Sequence, residues 1–506
     1  MYNLLEVLPF GFVFELVNET CHFSQGYELY LDGQLHSTDN RNVVSVFDLK
    51  PSKQYAVELR FADGETLAFR VTTGYVNYVI NVRDYNATGD GVTDDTAAIA
   101  MAIYAAPEAE SVIYFPPGEY LVDQILLRSY TDIYLARGAV LKQSFARKKL
   151  AIIKAYQKNR KHTAVQVNSS WEGHPIDTYA SLIYGNQVSN VRIYGAGVID
   201  GNGDIGGFWE NPKVKNIAFR PKNIFFTHSA YISVLGVTSR NSASWNIHPF
   251  YSDHVRLIDV KVQSVEVSPN TDGIDPESCT QVDIIGCHFS VGDDCIAIKS
   301  GKYYMAAQHL RPTRQVTIRN CFMEKGHGAV VIGSEIACGV SDVSVSQCLF
   351  QDTDRGLRIK TRRGRGETSV VERLSFDNVQ MVRVKHGFVV NMFYHCDPDG
   401  RTLYVKDKTV TEKDAMTPTI RDITLNNVHA TDLRSSAVFI YGLPENPVTG
   451  ITATNCHFGF APDRETYPYP AMMCDFEPIE NLGVFIANGQ YTETNTTYDG
   501  QYTLKK

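Results

Sequence analysis

Long apolar runs are missing from this sequence. No segment approaches the roughly 20 consecutive apolar residues of a membrane-spanning helix, so we expect no membrane partner. The first stretch, Met1 to Val17, is apolar but contains Glu6 and Glu15 and no early Lys or Arg, so it lacks the basic start of a secretory signal. This favours a cytoplasmic location, or a secreted or periplasmic one if the natural start has been trimmed.

Cysteine is also scarce, and negative charges outnumber positive ones. Ten cysteines in 506 residues are too few for a disulfide scaffold, and with no Cys-x-x-Cys pair or Cys/His cluster they suggest no zinc site. A net charge of -8 argues against nucleic acid as a partner, because nucleic-acid binding needs a broad basic face. The sequence leaves the oligomeric state open.

What the sequence does contain, from about residue 190, is a series of short apolar repeats. Each has alternating apolar residues, a small or amide residue, and then a Val or Cys. Those Val or Cys positions are Val237, Val260, Cys287, Cys321, Cys348, Val379, Val428 and Cys456. Repeats of 20 to 50 residues with almost no helical pattern between them are typical of solenoids built from coils of strands and turns. The best fit is a parallel β-helix.

The start of the chain has a different pattern. Residues 1–75 alternate apolar and polar positions between turn signals, which predicts a small β-sandwich. Within it, the segment from Ser45 to Val57 resembles the later strands of a fibronectin type III domain. Residues 76–506 would then form the β-helix domain. A helix at 96–106, with Asp95 as its cap, would cover the first coil.

Polar motifs recur at one-coil intervals in the middle of the larger domain. They are Asn270-Thr-Asp272, Gly292-Asp293-Asp294-Cys295, Gly326-His327-Gly328 and Arg358-Ile-Lys360. Steps of 21, 34 and 31 residues separate Asp272, Asp293, His327 and Arg358, each close to one coil. Because neighbouring strands lie about 4.8 Å apart, three carboxylates, an imidazole and two cations are expected on one surface.

These residue types favour acid and base chemistry. Three neighbouring carboxylates cannot all ionise readily, so at least one should have a raised pKa and act as a general acid, while the others act as bases. An acid and a base on either side of a sugar bond are typical of glycoside hydrolysis, and roughly 6.5 to 9.5 Å between them leaves room for water. We expect two coils to supply that span. Asp293 and Asp294 can both face solvent only if the chain bends, which Gly292 would permit.

In this order the four motifs resemble those of the polygalacturonase family, glycoside hydrolase family 28, over roughly residues 76–480. The resemblance implies an all-β fold, a right-handed parallel β-helix, and hydrolysis of pectin-derived oligogalacturonide with inversion, without metal or organic cofactor. It implies that Asp293 donates the proton, that Asp272 and Asp294 hold and activate water, and that His327 supports the acid.

The same resemblance implies a set of substrate contacts. Arg358 and Lys360 would bind the galacturonate carboxylate, and Tyr394 is the candidate for a tyrosine that follows the last motif in the family. Asn270 is a further candidate, and Trp245 and His248 precede Asp272 by one coil and would flank the sugar. Asp275 is expected to be a structural partner of the site.

Some features resemble bacterial exo-acting members of the family, namely the fibronectin-like front domain, the segment 142–178 and Trp171-Glu-Gly173. That segment has little repeat character and is basic. Its cations are Arg147, Lys148, Lys149, Lys154, Lys158, Arg160 and Lys161. We expect it to close one end of the binding surface, with Trp171 as a stacking platform for sugar. An ordinary solvated basic face is the alternative.

Other functions remain open at this stage. A pectate lyase can also use a parallel β-helix with clustered acids and cations, but it generally needs calcium. A rhamnogalacturonan hydrolase would be a neighbour within the same family. A non-catalytic β-helix that binds oligogalacturonate is the third alternative, and it would release no reducing sugar.

Overall fold

The computed structural model describes residues 1–107, 109–144, 147–158, 165–396, 398–462, 472–476, 482–500 and 503–505. In this part of the chain strands dominate and helices are few and short. The helices are the 3-10 turns Val82–Tyr85 and Pro398–Arg401 and the α-helices Thr96–Ala105, Tyr303–Gln308 and Leu403–Lys406. None of the described helices is long and apolar enough to cross a membrane. The prediction of an all-β fold is confirmed.

The N-terminal module is a sandwich of two antiparallel sheets. One sheet has three strands, Tyr2–Leu8, Gly11–Leu16 and Val43–Phe47. The other has four, in the order Gln34–Arg41, His22–Leu31, Gln54–Phe61 and Thr66–Thr72. Their inner faces bury a core of their own around Phe12, Phe14 and Leu29. This three-plus-four arrangement is the one expected for a fibronectin type III-like domain.

The rest of the described chain winds as a right-handed parallel β-helix with three faces. We call the first face sheet A. Its strands are Tyr78–Asn81, Ser111–Phe115, Thr131–Leu135, Ser189–Gly195, Ala230–Leu235, Asp253–Ile258, Thr280–Ile285, Thr313–Arg319, Val340–Ser346, Val370–Asp377, Thr419–Asn426, Val448–Thr454 and Gly489–Thr494.

The second face, sheet B, also has thirteen strands. They are Asp90–Asp94, Gly118–Val122, Ala139–Gln143, Val198–Asp200, Thr238–Arg240, Lys261–Gln263, His288–Ser290, Phe322–Lys325, Leu349–Gln351, Gln380–Val382, His429–Leu433, His457–Phe460 and Thr497–Asp499. Sheets A and B enclose one continuous apolar core with the third face.

The third face, sheet C, carries the predicted motifs. Its first part consists of Ile125–Leu126, Ile183–Asn186, Ile224–Thr227 and Ile247–Phe250. Its second part consists of Asp294–Ile298, Gly328–Gly333, Arg355–Lys360, His386–Asn391, Ser436–Tyr441, Leu482–Ala487 and Thr503–Lys505. Ile274 joins the two parts through single parallel bridges to Ile247 and Ile296.

The repeat seen in the sequence marks the turn from sheet A to sheet B. At each such turn one residue has a positive φ, and the Val or Cys that follows it points into the core. The positive-φ residues are Gly236, Asp259, Gly286, Asn320, Gln347, Asn378, Asn427 and Asn455. Glycine and the short polar side chains reach this left-handed backbone at the lowest cost, which explains the small or amide residue of the repeat.

A second column of left-handed residues lies within the strands of sheet A. Register pairs place these residues side by side in successive coils. They are Asn190, Tyr231, His254, Gln281, Gln315, Asp342, Arg373 and Asp422. Only the backbone, and not the residue type, is constant along this column.

The helix predicted at 96–106 is present as Thr96–Ala105, and its buried residues Ile99, Ala102 and Ile103 belong to the core of the β-helix. It therefore covers the open first coil. Asp95 occupies the N-cap position as predicted, but its side chain does not cap the helix, because the carboxylate accepts hydrogen bonds from the backbone N–H groups of Thr88 and Gly89 instead.

The N-terminal module packs on the outer face of sheet A. Val43 and Phe47 share an apolar cluster with Tyr194, Leu235 and Ile258 of the β-helix. At the edge of this contact, the Arg319 guanidinium donates to Glu15 at 2.7 Å and 3.0 Å.

The segment 142–178 leaves the regular coil as a set of short antiparallel pairs. Ile152–Ile153 pairs with Thr178–Tyr179, Tyr156–Lys158 with Val165–Val167, and Ser170–Trp171 with His174–Pro175. Ile153 and Val167 pack on Phe225 and Phe250, which lie on the outward side of sheet C. The segment thus covers the outer face of sheet C in the coils that precede Ile274.

Candidate active site

Asp293 lies in the turn between sheet B and sheet C, directly before the strand Asp294–Ile298, and its side chain is half-buried. One carboxylate oxygen accepts the backbone N–H of Asp294 at 2.9 Å, and the other accepts the Asn270 side-chain amide at 3.4 Å. The prediction that a bend at Gly292 turns both Asp293 and Asp294 to solvent is wrong, because Asp294 is buried and Gly292 has no left-handed φ. A Cβ there would lie 2.3 Å from the carbonyl oxygen of Ser268, so glycine is needed for close approach.

Asp294 is buried between two cations. Its Oδ2 accepts from the Lys360 ammonium at 2.7 Å, and Arg358 Nη1 lies 3.8 Å from its Oδ1. Burial alone would raise its pKa, but Lys360 and Arg358 outweigh burial and lower the pKa of Asp294 to about 2. Asp294 is therefore ionised at any working pH.

Asp272 and Asp275 form a buried pair next to Lys299. The Lys299 ammonium lies 3.8 Å from Asp272 and 3.5 Å from Asp275. Burial, together with the negative charges of Asp275 and Asp293, raises the pKa of Asp272 well above its usual value. Burial likewise raises the pKa of Asp275 to about 8, against the opposing effect of Lys299. The pair consequently holds a proton at neutral pH. A raised pKa is therefore present as expected, but it falls on Asp272, which the resemblance assigns to holding water and not to donating the proton.

The three predicted aspartates meet at one point. Asp272, Asp293 and Asp294 each place a carboxylate oxygen within 4.8 Å of the others. The predicted two-coil span is wrong, because Asp294 lies only one coil beyond Asp272: the Gly273 N–H donates to the Asp294 carbonyl at 3.0 Å. A cluster of this size can hold a proton, a water molecule or a cation, and the buried ammonium and guanidinium groups around it compete with a cation.

His327 stands at the rim of the site with its side chain 54% exposed. Its backbone N–H donates to the Asp293 carbonyl at 2.9 Å, and its Nδ1 lies 2.8 Å from an oxygen of Asp354. The hydrogen bond to Asp354 raises the pKa of His327, and the nearby charge of Asp293 adds to this effect. The imidazole is thus held beside the half-buried aspartate in a form that gains a proton easily.

Four of the predicted substrate contacts lie at or next to the aspartates. Asn270 accepts from Arg220 at 2.8 Å through its side-chain oxygen and donates to Asp293 through its nitrogen. Tyr394 is buried, with the Arg358 guanidinium and the Lys360 ammonium each 5.4 Å from its ring centre. Arg358 and Lys360 themselves lie beside Asp294 and the ring, on one face of the strand Arg355–Lys360.

Trp245 and His248 do not flank an open sugar site, contrary to the prediction. Both are buried, and His248 Nε2 lies 3.0 Å from the buried carboxylate of Glu277. The physical reason is the segment 142–178, whose Trp171 stacks on Trp245 at 5.2 Å between ring centres. Trp171 is itself only 4% exposed, so it is no stacking platform for sugar but part of the packing.

The described part of this segment's basic run shows no single cationic face. The Arg147 guanidinium lies 4.2 Å from the ring centre of Phe208, and the Lys154 ammonium is 2.8 Å from Asp177. Lys148 and Lys149 are exposed. Arg160 and Lys161, and the side chain of Lys158, lie outside the described residues.

A hairpin of the same segment, Ser170 to Pro175, docks on the coil that carries the aspartates; we call it the end hairpin. The Ser170 hydroxyl donates to Glu277 at 2.7 Å, and Lys302 Nζ donates to His174 Nε2 at 2.9 Å. Gly173 forms its tip with φ +72°, and a Cβ there would lie 2.9 Å from the backbone nitrogen of Lys302. The turn can approach this closely only because that residue is glycine.

Sequence reasoning assigned no role to Lys299, Glu335, Arg220 or Asp354. Lys299 links Asp272 and Asp275 to Glu335, whose carboxylate lies 3.4 Å from the ammonium. The sequence did contain a signal for Lys299. Glu277 and Lys299 are separated by the same number of residues as Asp272 and Asp294, and they are bridge partners in successive coils. Arg220 had no such signal, because it reaches Asn270 from an irregular loop.

Comparison with known proteins places these residues in context. The model of the glycosyl hydrolases family 28 matches residues 144–466. A probable polygalacturonase of Vitis vinifera is 31% identical over 396 residues, covering 76% of this chain and 75% of that protein. An exo-poly-alpha-D-galacturonosidase of Dickeya chrysanthemi is 28% identical over 428 residues, covering 76% of this chain and 68% of that protein.

Solved structures with the same fold include two exopolygalacturonases. The enzyme from Thermotoga maritima has a TM-score of 0.67 and 25% identity, over 84% of this chain and 92% of that one. The family 28 enzyme from Yersinia enterocolitica has a TM-score of 0.69 and 19% identity, over 100% of this chain and 97% of that one, which is a likeness of fold.

Proposed function

Because the chain belongs to the glycosyl hydrolases family 28, with polygalacturonases among its relatives, we propose that it is an exo-polygalacturonase. It would remove galacturonate units from the ends of α-1,4-linked chains derived from pectin, with inversion at the anomeric carbon. The meeting of Asp272, Asp293 and Asp294 beside Lys360 and Arg358 carries the hydrolase part of this proposal. Two exo-acting relatives and the covered surface described next support the exo part.

The position at which the exposed part of sheet C begins supports the exo part of the proposal. The segment 142–178 covers the coils that precede Ile274, and the end hairpin closes against Lys302. A polymer chain that lies along sheet C therefore meets a wall next to the aspartates on one side. Such a wall admits a chain end and excludes a continuous chain.

The surroundings of the three aspartates support the roles that the family resemblance implies. Asp293 is the least enclosed of the three, so it can reach the glycosidic oxygen and give it a proton. Asp294, whose pKa is about 2, is ionised and takes the proton of the attacking water. Asp272 holds a proton together with Asp275 and orients the same water. Arg358 and Lys360 bind the uronate carboxylate.

Inversion is the part of the proposal that rests on the family resemblance. The carboxylates are closer than the roughly 6.5 to 9.5 Å common in inverting pairs, so water must enter between Asp272, Asp294 and the sugar rather than between two opposed walls. Proton NMR of the first product anomer checks this directly. A β-configured product is expected from an α-linked substrate, and an α-configured first product would contradict inversion.

The exo proposal is tested by following polygalacturonate digestion over time. We expect mono- or digalacturonate as the dominant early product while the viscosity falls slowly. A fast fall in viscosity with a ladder of intermediate oligomers would contradict exo action. Binding without release of reducing sugar would favour a non-catalytic β-helix. Preferential cleavage of rhamnogalacturonan would favour a rhamnogalacturonan hydrolase of the same family.

A calcium-dependent lyase is a second candidate, and one observation favours it: the three carboxylates are close enough together to hold a cation. Hydrolysis is preferred because Lys299, Arg358 and Lys360 already neutralise this cluster. The two functions differ in product. Activity that survives excess chelator with no ultraviolet-absorbing double bond supports the hydrolase, whereas activity lost with chelator and restored by calcium supports the lyase.

A further inference from the structure

A cavity of about 520 Å³ lies between the end hairpin and loops that follow later coils of sheet C. Glu172 and His174 of the hairpin line one side, and Lys302, Arg365 and Asp399 line the other. Lys213, from the loop before sheet C strand Ile224–Thr227, completes the wall. Its volume falls within the roughly 300 to 1,000 Å³ of ligand sites, so it can accept at least one sugar unit.

The charge of this cavity is positive. Three cations and two carboxylates line it, and both carboxylates have cation partners: Glu172 is paired with Lys213, and Asp399 is 2.6 Å from Arg362. Lys302 and Arg365 also offset the buried carboxylate of Glu335. In a chain with a net charge of -8, a positive cavity is a local feature that attracts an anion.

The cavity adjoins the aspartates. Lys213 is near Asp293. Burial lowers the pKa of Lys213, but the negative charges of Glu172 and, to a smaller extent, Asp293 contribute to raising it above its usual value. On the other side, Lys299 connects Asp272, at 3.8 Å, with Glu335, at 3.4 Å, and Glu335 is neutralised in part by Lys302. A sugar in the cavity would therefore be next to the bond that is cut.

The Lys302 ammonium is fixed in place. It donates to Nε2 of His174 at 2.9 Å, so that ring nitrogen is the acceptor, and its backbone N–H faces the Gly173 carbonyl at 3.4 Å. An ammonium group has three N–H donors and suits a carboxylate as a point charge. The end hairpin thus closes the cavity and also positions a cation within it.

We propose that this cavity binds the terminal uronate of the substrate chain and that Lys302 and Lys213 recognise its carboxylate. The proposal rests on the proposed exo function, because the end hairpin lines the cavity on the side where that function requires the substrate chain to end. It assigns the recognition of the terminal sugar to residues outside the four sequence motifs.

Binding is measured by calorimetry in an Asp293→Asn background, which prevents turnover. The two probes are trigalacturonate and the same trisaccharide with galactose in place of the non-reducing terminal galacturonate. The parent should bind trigalacturonate at least about ten-fold more tightly. Lys302→Met and Lys213→Met should each remove most of this preference and leave the affinity for the galactose-ended probe unchanged, as in a double-mutant cycle.

The matched control is Lys261→Met, which removes an exposed lysine from a strand of sheet B and should keep the full preference. Circular dichroism shows whether each variant folds. Because Lys213 is more exposed than Lys302, Lys213→Met tests the proposal if Lys302→Met does not fold. Retention of the ten-fold preference in every folded variant overturns the proposal. Product analysis of the unmodified enzyme is independent: a ladder of oligomers would refute exo action, whereas mono- or digalacturonate with retained preference would refute only this cavity.

Discussion

Asp293 and Asp294 are sequence neighbours in very different surroundings. Asp294 is fixed by Lys360 and Arg358, while Asp293 is held only by an amide and a backbone N–H. We expect Asp293→Asn to keep the fold, because the amide has the same shape, and to lower kcat by a factor of about 10² to 10⁴, the usual contribution of a general acid. Initial rates on trigalacturonate measure this loss.

Asp283→Asn is the control for that variant, since Asp283 is an aspartate of sheet A far from the motifs. It should keep the parent kcat. If Asp293→Asn turned over at a rate close to that of Asp283→Asn, the proton would have to come from another group.

The pair His327 and Asp354 predicts a pH effect. The hydrogen bond to Asp354 raises the pKa of His327, so the protonated imidazole persists to higher pH than it otherwise would. In Asp354→Asn this pKa should fall, and the imidazole should lose its proton at a lower pH. If protonated His327 supports Asp293, the alkaline limb of the kcat profile moves to lower pH.

Asp352→Asn provides the comparison, because Asp352 stands two positions before Asp354 in the sequence and forms an exposed ion pair with Arg383. Its pH profile should match that of the parent. An alkaline limb that stays in place in Asp354→Asn, with kcat reduced at every pH, would mean that Asp354 is needed for structure alone.

At the scale of elements, the end hairpin depends on Gly173. Its left-handed φ and the 2.9 Å approach of a Cβ to Lys302 and Glu335 both disfavour any side chain. We expect Gly173→Ala to displace the tip from the coil that carries the aspartates. The fraction of early products longer than digalacturonate should rise, as measured by mass analysis, because the wall beside the aspartates is opened.

Gly64→Ala separates backbone strain from loss of contact. Gly64 also has a left-handed φ, of +92°, but a Cβ there would meet nothing within 4 Å. Both variants should lose about 1 kcal/mol of stability or more, since alanine is strained at positive φ. Only Gly173→Ala should alter the products, and identical product profiles would show that the hairpin does not set chain-end specificity.

The elements differ in how far the sequence predicts them. The coils were predictable because a left-handed Gly, Asn, Asp or Gln before a buried Val or Cys recurs at each turn, as at Asn378 and Val379. The aspartates and the two motif cations were predictable because one-coil spacing brings them together. The end hairpin was not, since contacts such as Ser170 with Glu277 join residues more than a hundred positions apart and follow no repeat.

Burial explains why two of the predicted substrate contacts, Trp245 and His248, were wrong. Trp245 and His248 lie on the outward side of sheet C, where a residue would normally meet solvent or substrate. The sequence shows that the segment 142–178 interrupts the coils, but periodicity contains no information on where an interruption docks. Trp171, which ends up against Trp245, therefore looked like an exposed aromatic.

At the scale of the whole molecule, the module and the β-helix are expected to unfold together. Phe47 of the module packs into the apolar cluster of sheet A, and a Cβ on Gly236 would lie 2.2 Å from its ring. Phe47→Ala should lower the stability of the entire chain by about 3 kcal/mol, the usual cost of removing a buried phenylalanine. Scanning calorimetry should show one transition moved to lower temperature.

Leu35→Ala is the matched change within the module, at a side chain that is 56% exposed. It should leave the transition in place. Two separated transitions, with only the smaller one shifted by Phe47→Ala, would instead show that the module unfolds independently of the β-helix.

The left-handed column within sheet A has a consequence for the register in which successive coils pair during folding. The residue that directly follows each member of this column is apolar, and most are β-branched: Val191, Ile232, Val255, Val282, Val316, Val343, Leu374 and Ile423. If a new coil paired with the preceding coil in a register shifted by one residue, it would place such a residue in left-handed backbone. β-branched side chains are strongly disfavoured there. The same slip would turn the core side chains to the outside. A shift in strand register is therefore unfavourable within each coil. Each correctly paired coil in turn provides the register for the next one.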